Sequence, residues 1–209
     1  MLKKFTLMEM LVVIVIISIL ASILVPAVLG VKERSRVVAS KAEILQLVSA
    51  LESYNAKFGD YPPSTLKELS LLGNKINEGN ESLVLCLSTE MHGPFFEFQE
   101  DRLENIDLDS RKANPTKTTF KRNDLFEWVD EWGNPYIYIH YRDYQPATQF
   151  KYTIGAEQAQ KETVCIPQKS AKTGNYNGHL KFQLWSVGPN QTNENGEGDD
   201  LVSWVLSKN

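Results

Sequence analysis

From Met10 to Val31 the chain carries no charge, and a glutamate, Glu9, stands at the head of that apolar run. A helix needs about 20 such residues to cross a bilayer, so the run is long enough to span one. A carboxylate at the bilayer centre costs roughly 2.5–3.5 kcal/mol on insertion scales. At the edge of the run the cost is a fraction of that, but it still asks for a partner. Any reading of this chain has to place the apolar helix and explain Glu9.

A cleaved secretory signal would use Lys3 and Lys4 as its basic start, but the run is too long and no A-x-A site follows it. A permanent anchor fits by length. Its orientation is poorly specified, because Lys3 and Lys4 face Lys32, Arg34 and Arg36 on the other side. Pro26 should also kink such a helix, since its ring removes a backbone donor. Neither arrangement accounts for Glu9.

A third arrangement does. The string Phe5-Thr6-Leu7-Met8-Glu9-Met10-Leu11 resembles the start of type IV pilins and of the pseudopilins of type II secretion. The resemblance implies that residues 1–4 are a leader, removed by a prepilin peptidase between Lys4 and Phe5, and that Phe5 is then methylated. It implies that Glu9 pairs with the new amino terminus of a neighbouring subunit, so that assembly supplies the partner a carboxylate in hydrocarbon needs. Pro26 falls where the family carries a kinking proline. Lys4 stands where the family usually has glycine, so the peptidase subsite meets a long charged side chain. The expected partners are copies of the chain and other pseudopilins in a filament, the prepilin peptidase and an inner-membrane assembly platform. The expected location is the bacterial inner membrane, crossed once over residues 5–31, with the head in the periplasm.

The helix does not stop at Arg36. Ile44, Leu47, Val48, Leu51 and Tyr54 form an apolar stripe at helical period, with Lys41, Glu43, Gln46 and Glu52 off it. Gly59 supplies a C-cap and Pro62-Pro63 forbid continuation, so residues 32–63 read as an amphipathic extension. The stripe is too short for a sustained coiled coil. Tyr54, Gly59, Tyr61 and Pro62 also match a segment shared by major pseudopilins. Thr65 and Glu68 stand at capping-box spacing for a following helix.

Residues 64–209 read as a globular head, with insertions at about 80–125 and 145–178. Asn80 to Leu87 is a short helix capped by Asn80, or else a strand; the helix is favoured. Gly93-Pro94 ends it, and Phe95, Phe96 and Phe98 anchor the domain. The polar stretch from Glu100 to Asn123 reads as a surface excursion, in which Asp107 and Asp109 are more readily a solvated loop than a cation site. Trp132-Gly133-Asn134-Pro135 is a turn. The alternation after it, and again from His179 to Ser186, predicts two strands of an antiparallel sheet covering the helix stripe. The fold class is therefore α+β, a long N-terminal helix, its first half membrane-spanning, packed on a small antiparallel sheet; the resemblance implies that this is the type IV pilin-like fold. Asp130 to Tyr136 resembles the D-x-W-G-N-P-Y marker of the major pseudopilin, with Glu131 where that family usually has proline.

The tail places Asn190, Asn193, Glu194, Asn195, Glu197, Asp199 and Asp200 in one short loop. Oxygen ligands in excess with nothing soft suit calcium, and so many acids repel one another without a cation; a solvated acidic loop is the plain alternative. The loop resembles the calcium loop of major pseudopilins. Carried over by position, the Val187 carbonyl and the side chains of Asn190, Asp199 and Asp200 would hold calcium, with Asn190 in place of an aspartate and Glu194 or Glu197 compensating.

Other classes fall away. A net charge of −4 gives no basic footprint for nucleic acid. Cys86 and Cys165 lie outside any zinc pattern; a disulfide between them on the exported side and two separate buried thiols both remain open. His92, His140 and His179 are scattered, with no G-x-S-x-G elbow, phosphate loop or HExxH helix, so no enzyme is expected. His140 and His179 could be neighbours across facing strands. The alternative to a filament subunit is a permanently anchored periplasmic binding module, with an anchored hydrolase last.

Overall fold

The structure is a computed structural model that describes residues 6–89, 94–109, 124–145, 147–156 and 159–206, with backbone alone at 26, 27 and 29. It divides into two compact units, Met1–Val38 and Ala39–Asn209. Helix α1, Leu7–Phe58, supplies the first unit and, from Ala39 onward, one element of the second. Gly59 follows it at φ +81°, the left-handed value a C-cap glycine adopts at no steric cost.

In the second unit, Ile44, Leu47 and Leu51 of α1 are fully buried, as the stripe predicts. After Pro62-Pro63 the chain makes one 3-10 turn, Leu66–Leu69. Thr65 precedes it in extended conformation but makes no side-chain cap hydrogen bond, so the expected Thr65–Glu68 capping box does not form. A turn this short has few orphan donors to satisfy. Helix α2, Glu78–Leu87, is capped at Asn77 and not at Asn80. Asn80 sits inside the helix because its side chain is used elsewhere. It donates to the carbonyls of Trp128 and Tyr136 and accepts from the Trp128 N–H, at 2.7–3.0 Å.

The strands are β1 (Leu103–Glu104), β2 (Glu127–Trp128), β3 (Ile137–His140), β4 (Phe150–Ile154), β5 (Lys161–Cys165), β6 (Phe182–Ser186) and β7 (Leu201–Val202), with a last turn of helix, α3, at Ser203–Leu206. β3, β6 and β7 form an antiparallel sheet with β6 central; Ile137 faces Trp185, and His140 faces Phe182. The second predicted strand thus starts at Phe182, while His179 lies exposed in the preceding turn. His140 is buried and reaches Asp60 through Nε2 at 3.0 Å, so the two histidines are not a cross-strand pair.

Every residue of β6 is buried. Ile137, Ile139, Trp185 and Val187 pack on Phe150, Tyr152, Ile154 and Cys165 of the β4–β5 hairpin, which occupies part of the segment 145–178. Tyr138, also buried, donates its hydroxyl to the Pro62 carbonyl at 2.6 Å. Phe96 and Phe98 close edge-on against Trp128, and Phe95 against Tyr54.

The D-E-W-G-N-P-Y segment is a structural turn. Asp130 Oδ1 accepts from the N–H groups of Trp132 and Asn134, both at 2.9 Å, and Gly133 takes φ +82°. Asn134 Oδ1 then accepts from Gly155 N at 2.8 Å, tying the turn to the end of β4.

Candidate functional site

The first unit offers an apolar surface. The large apolar side chains between Leu7 and Val31 whose placement is described are 44–83% exposed, on all sides of the helix. This part of α1 is long and apolar enough to cross a membrane, by length and composition. Lys4 and Phe5, the expected processing and methylation residues, lie outside the described residues, as does His92. Pro26 lies within α1, which runs on past it.

Glu9 has a partner inside the chain that the sequence reading overlooked. Its Oε2 accepts from Thr6 N at 2.8 Å and Thr6 Oγ1 at 2.7 Å, and its own N–H donates to Thr6 Oγ1 at 3.2 Å. This is a reciprocal capping box, spelled T-x-x-E at the head of an apolar run. It satisfies the carboxylate locally in the single chain.

The C-terminal loop folds around its acids. Asp199 Oδ2 accepts from Asn190 N at 3.0 Å, and Glu194 Oε2 accepts from Asp199 N at 3.0 Å. Asp200 Oδ2 accepts from Glu194 N at 3.2 Å and Gly196 N at 2.6 Å. Gly188, next to the buried Val187, takes φ +66°, and a Cβ there would collide with the Asp199 carbonyl. The loop is pinned to its neighbours by Trp185 Nε1 donating to Asn193 Oδ1 at 3.2 Å and Ile166 N donating to Asn195 Oδ1 at 2.9 Å.

The other oxygen of Asp200, Oδ1, is buried and has no hydrogen-bond partner. Burial raises the Asp200 carboxyl to about 7; the charges of Glu194 and Asp199 push the same way, against the N–H groups of Gly196 and Glu194. An orphaned buried oxygen among hard donors fits a calcium-type ion. Asn190 Oδ1 accepts from Thr192 N at 2.7 Å and stays within the loop.

Cys86 and Cys165 are both free thiols and both buried. Cys86 lies on α2 beside Tyr54, whereas Cys165 ends β5 in the hairpin core. Burial pushes Cys86 up to about 11 and Cys165 well above the ordinary range, so each behaves as a small inert hydrophobe.

No protein-family model matches the chain, and no solved structure matches it significantly. Curated proteins do. The chain is similar to type II secretion system core protein G. It is 39% identical to that protein of Escherichia coli over 82 residues, 39% of this chain and 48% of the relative. It is 42% identical to that of Pectobacterium carotovorum over 35% of this chain and 46% of the relative. Over a longer stretch it is 27% identical to the Vibrio cholerae protein, across 73% of this chain and 80% of the relative. At the higher identities the chain spans about half the length of the curated relatives it matches.

Proposed function

We propose that this chain is a structural subunit of a type II secretion pseudopilus, of the core-protein-G kind. The observation that carries the reading is an apolar helix exposed on every side between Leu7 and Val31, in a chain similar to curated proteins of that name. An apolar helix of that length has two stable environments, lipid and a bundle of like helices. A subunit that passes from the first to the second assembles without exposing the helix to water.

In this reading residues 1–4 are removed, Phe5 is methylated, and Glu9 exchanges its Thr6 contacts for the amino terminus of a neighbouring subunit. The head stands in the periplasm. The Val187 carbonyl with Asn190, Asp199 and Asp200 would hold calcium, which neutralises the loop so that heads pack. The partners are copies of the chain, other pseudopilins, the prepilin peptidase and the inner-membrane platform. Among the described residues, two surface hollows of about 270 and 210 Å³ are smaller than the roughly 300–1,000 Å³ of small-molecule sites. They give the anchored-binding-module reading little support.

The test is the intact mass of the chain extracted from its native membrane. Loss of Met1 to Lys4 with one added methyl is the expected result. A chain that still begins at Met1 leaves Glu9 without its intermolecular partner and overturns the filament reading.

A further inference from the structure

A second acidic cluster lies away from the C-terminal loop. Glu81 on α2 is fully buried, and neither of its carboxylate oxygens has a hydrogen-bond partner. Facing it are Asp107 and Asp109, each half-buried and each with Oδ1 likewise buried and unpartnered. One oxygen from each of the three lies within 4.8 Å of the others. That is no more than two calcium–oxygen bonds of about 2.3–2.6 Å laid end to end.

The remaining oxygens are held in place by neutral donors. Asp107 Oδ2 accepts from Asn77 Nδ2 at 3.4 Å, and Asp109 Oδ2 accepts from Asn74 N at 3.1 Å. Asn105 clamps the loop by accepting from Asp109 N at 3.0 Å and donating to its carbonyl at 2.8 Å. A fourth acid, the buried Glu127, spends its oxygens on Asn77 Nδ2 at 3.0 Å and Ile106 N at 3.0 Å. Among the described residues no ion pair reaches any of the four. With only neutral donors among the described residues, carboxylates held charged in this cluster are strongly destabilised by burial.

We infer that Glu81, Asp107 and Asp109 form a hard divalent-cation site of calcium size, the unpartnered oxygens being its protein ligands. All three ligands are oxygens of hard carboxylates, and Glu81 presents both of its oxygens for bidentate binding. The ion would tie α2 to the loop that leads into residues 110–123. The site is separate from the calcium loop at residues 187–200 and independent of the secretion reading.

The test uses full-length protein in detergent, stripped with EDTA and titrated with calcium chloride. The double variant Asp199→Asn/Asp200→Asn, which disarms the C-terminal loop, should still bind a single ion and melt about 5–10 °C higher at a hundredfold excess of calcium over Kd. Adding Glu81→Gln should abolish both the binding and the shift. In EDTA the Glu81→Gln chain should melt at or above its parent, because a neutral amide relieves the repulsion; calcium should reverse that order. If the double variant fails to fold, the wild-type stoichiometry should fall by one ion with Asp109→Asn. A stoichiometry or calcium shift indifferent to Glu81→Gln and Asp109→Asn overturns the inference. A proton shared between Glu81 and Asp109 would then neutralise the cluster.

Discussion

Arg102 grips Glu43 with both terminal nitrogens, Nη1 to Oε1 at 2.7 Å and Nη2 to Oε2 at 2.8 Å. The pair ties the last third of α1 to the strand region of the head. Glu43 also accepts from the Tyr136 hydroxyl, and Arg102 lies over the Trp128 ring at 4.6 Å and donates to the Val129 carbonyl. The two side chains are 21% and 11% exposed, so water screens them only in part. Glu43→Ala should therefore cost about 2–3 kcal/mol, less than the roughly 3–5 of a fully buried broken pair. Thermal unfolding followed by tryptophan fluorescence should show a drop of several degrees. Glu43→Gln, which keeps an acceptor for Tyr136, should lose less. An unchanged melting temperature for Glu43→Ala would show that the pair is ornamental.

Gly79 lies in the first turn of α2, where alanine would ordinarily be the better helix former. A Cβ at this position would collide with the Tyr138 carbonyl and the Tyr152 hydroxyl, which hydrogen-bond each other at 3.1 Å. Overpacking against backbone should outweigh the helix propensity, so Gly79→Ala should destabilise by about 1–3 kcal/mol. Urea denaturation decides it: a midpoint at or above the parent's would mean that α2 can retreat from β3.

Asp130 predicts a pH dependence. Burial raises its carboxyl to about 6, against the hydrogen bonds it accepts from Ser186, Asn134 and Trp132. Its unfolded value is about 3.9. A raised carboxyl favours the protonated folded state, so its contribution is whole below about pH 4 and is lost as pH rises through about 6. Asp130→Asn keeps an acceptor for Trp132 and Asn134, reverses the Ser186 contact so that the amide donates to the hydroxyl, and removes the titration. The melting temperature of Asp130→Asn relative to its parent should therefore climb between about pH 4 and pH 7. A difference that stays flat across that window refutes the assignment.

Local periodicity located the elements with a regular repeat, although β3 and β6 turn out to be buried on both faces. The stripe from Ile44 to Leu51 and the alternation around Ile137 and Phe182 were readable because each pattern matches its element's own repeat. Helix α2 is legible in the letters from Asn80 to Leu87, but its start at Glu78, its cap at Asn77 and the burial of its polar residues Gly79, Asn80, Glu81 and Ser82 are not. What buries them is distant in sequence: Asn80 meets Trp128 and Tyr136, and Asn77 meets Glu127. The same gap hid the cation cluster, since Asp107 and Asp109 read as solvated until Glu81 was placed opposite them. Glu43 sat off the apolar stripe and read as a solvent-facing residue, but a charged side chain off the stripe can still be claimed by an arginine nearly sixty residues away. The Thr6–Glu9 box was legible in the letters themselves.

That box separates two roles for Glu9. If its work is only to cap α1, Thr6→Val and Glu9→Val should behave alike. Each would break the Oγ1–carboxylate contact and cost about 1 kcal/mol of helix start. If Glu9 instead meets a neighbouring subunit's amino terminus, the two variants should part. Thr6→Val frees the carboxylate from one donor and leaves it available, so sedimentable filaments should form near the parent's yield. Glu9→Val removes the charge that a buried amine requires, so filaments should vanish while the amount of chain in the membrane is unchanged. Shearing cells and blotting the sedimented fraction against the membrane fraction reads both quantities at once. Equal loss of filaments in the two variants would assign Glu9 to the cap alone and remove the assembly role from it.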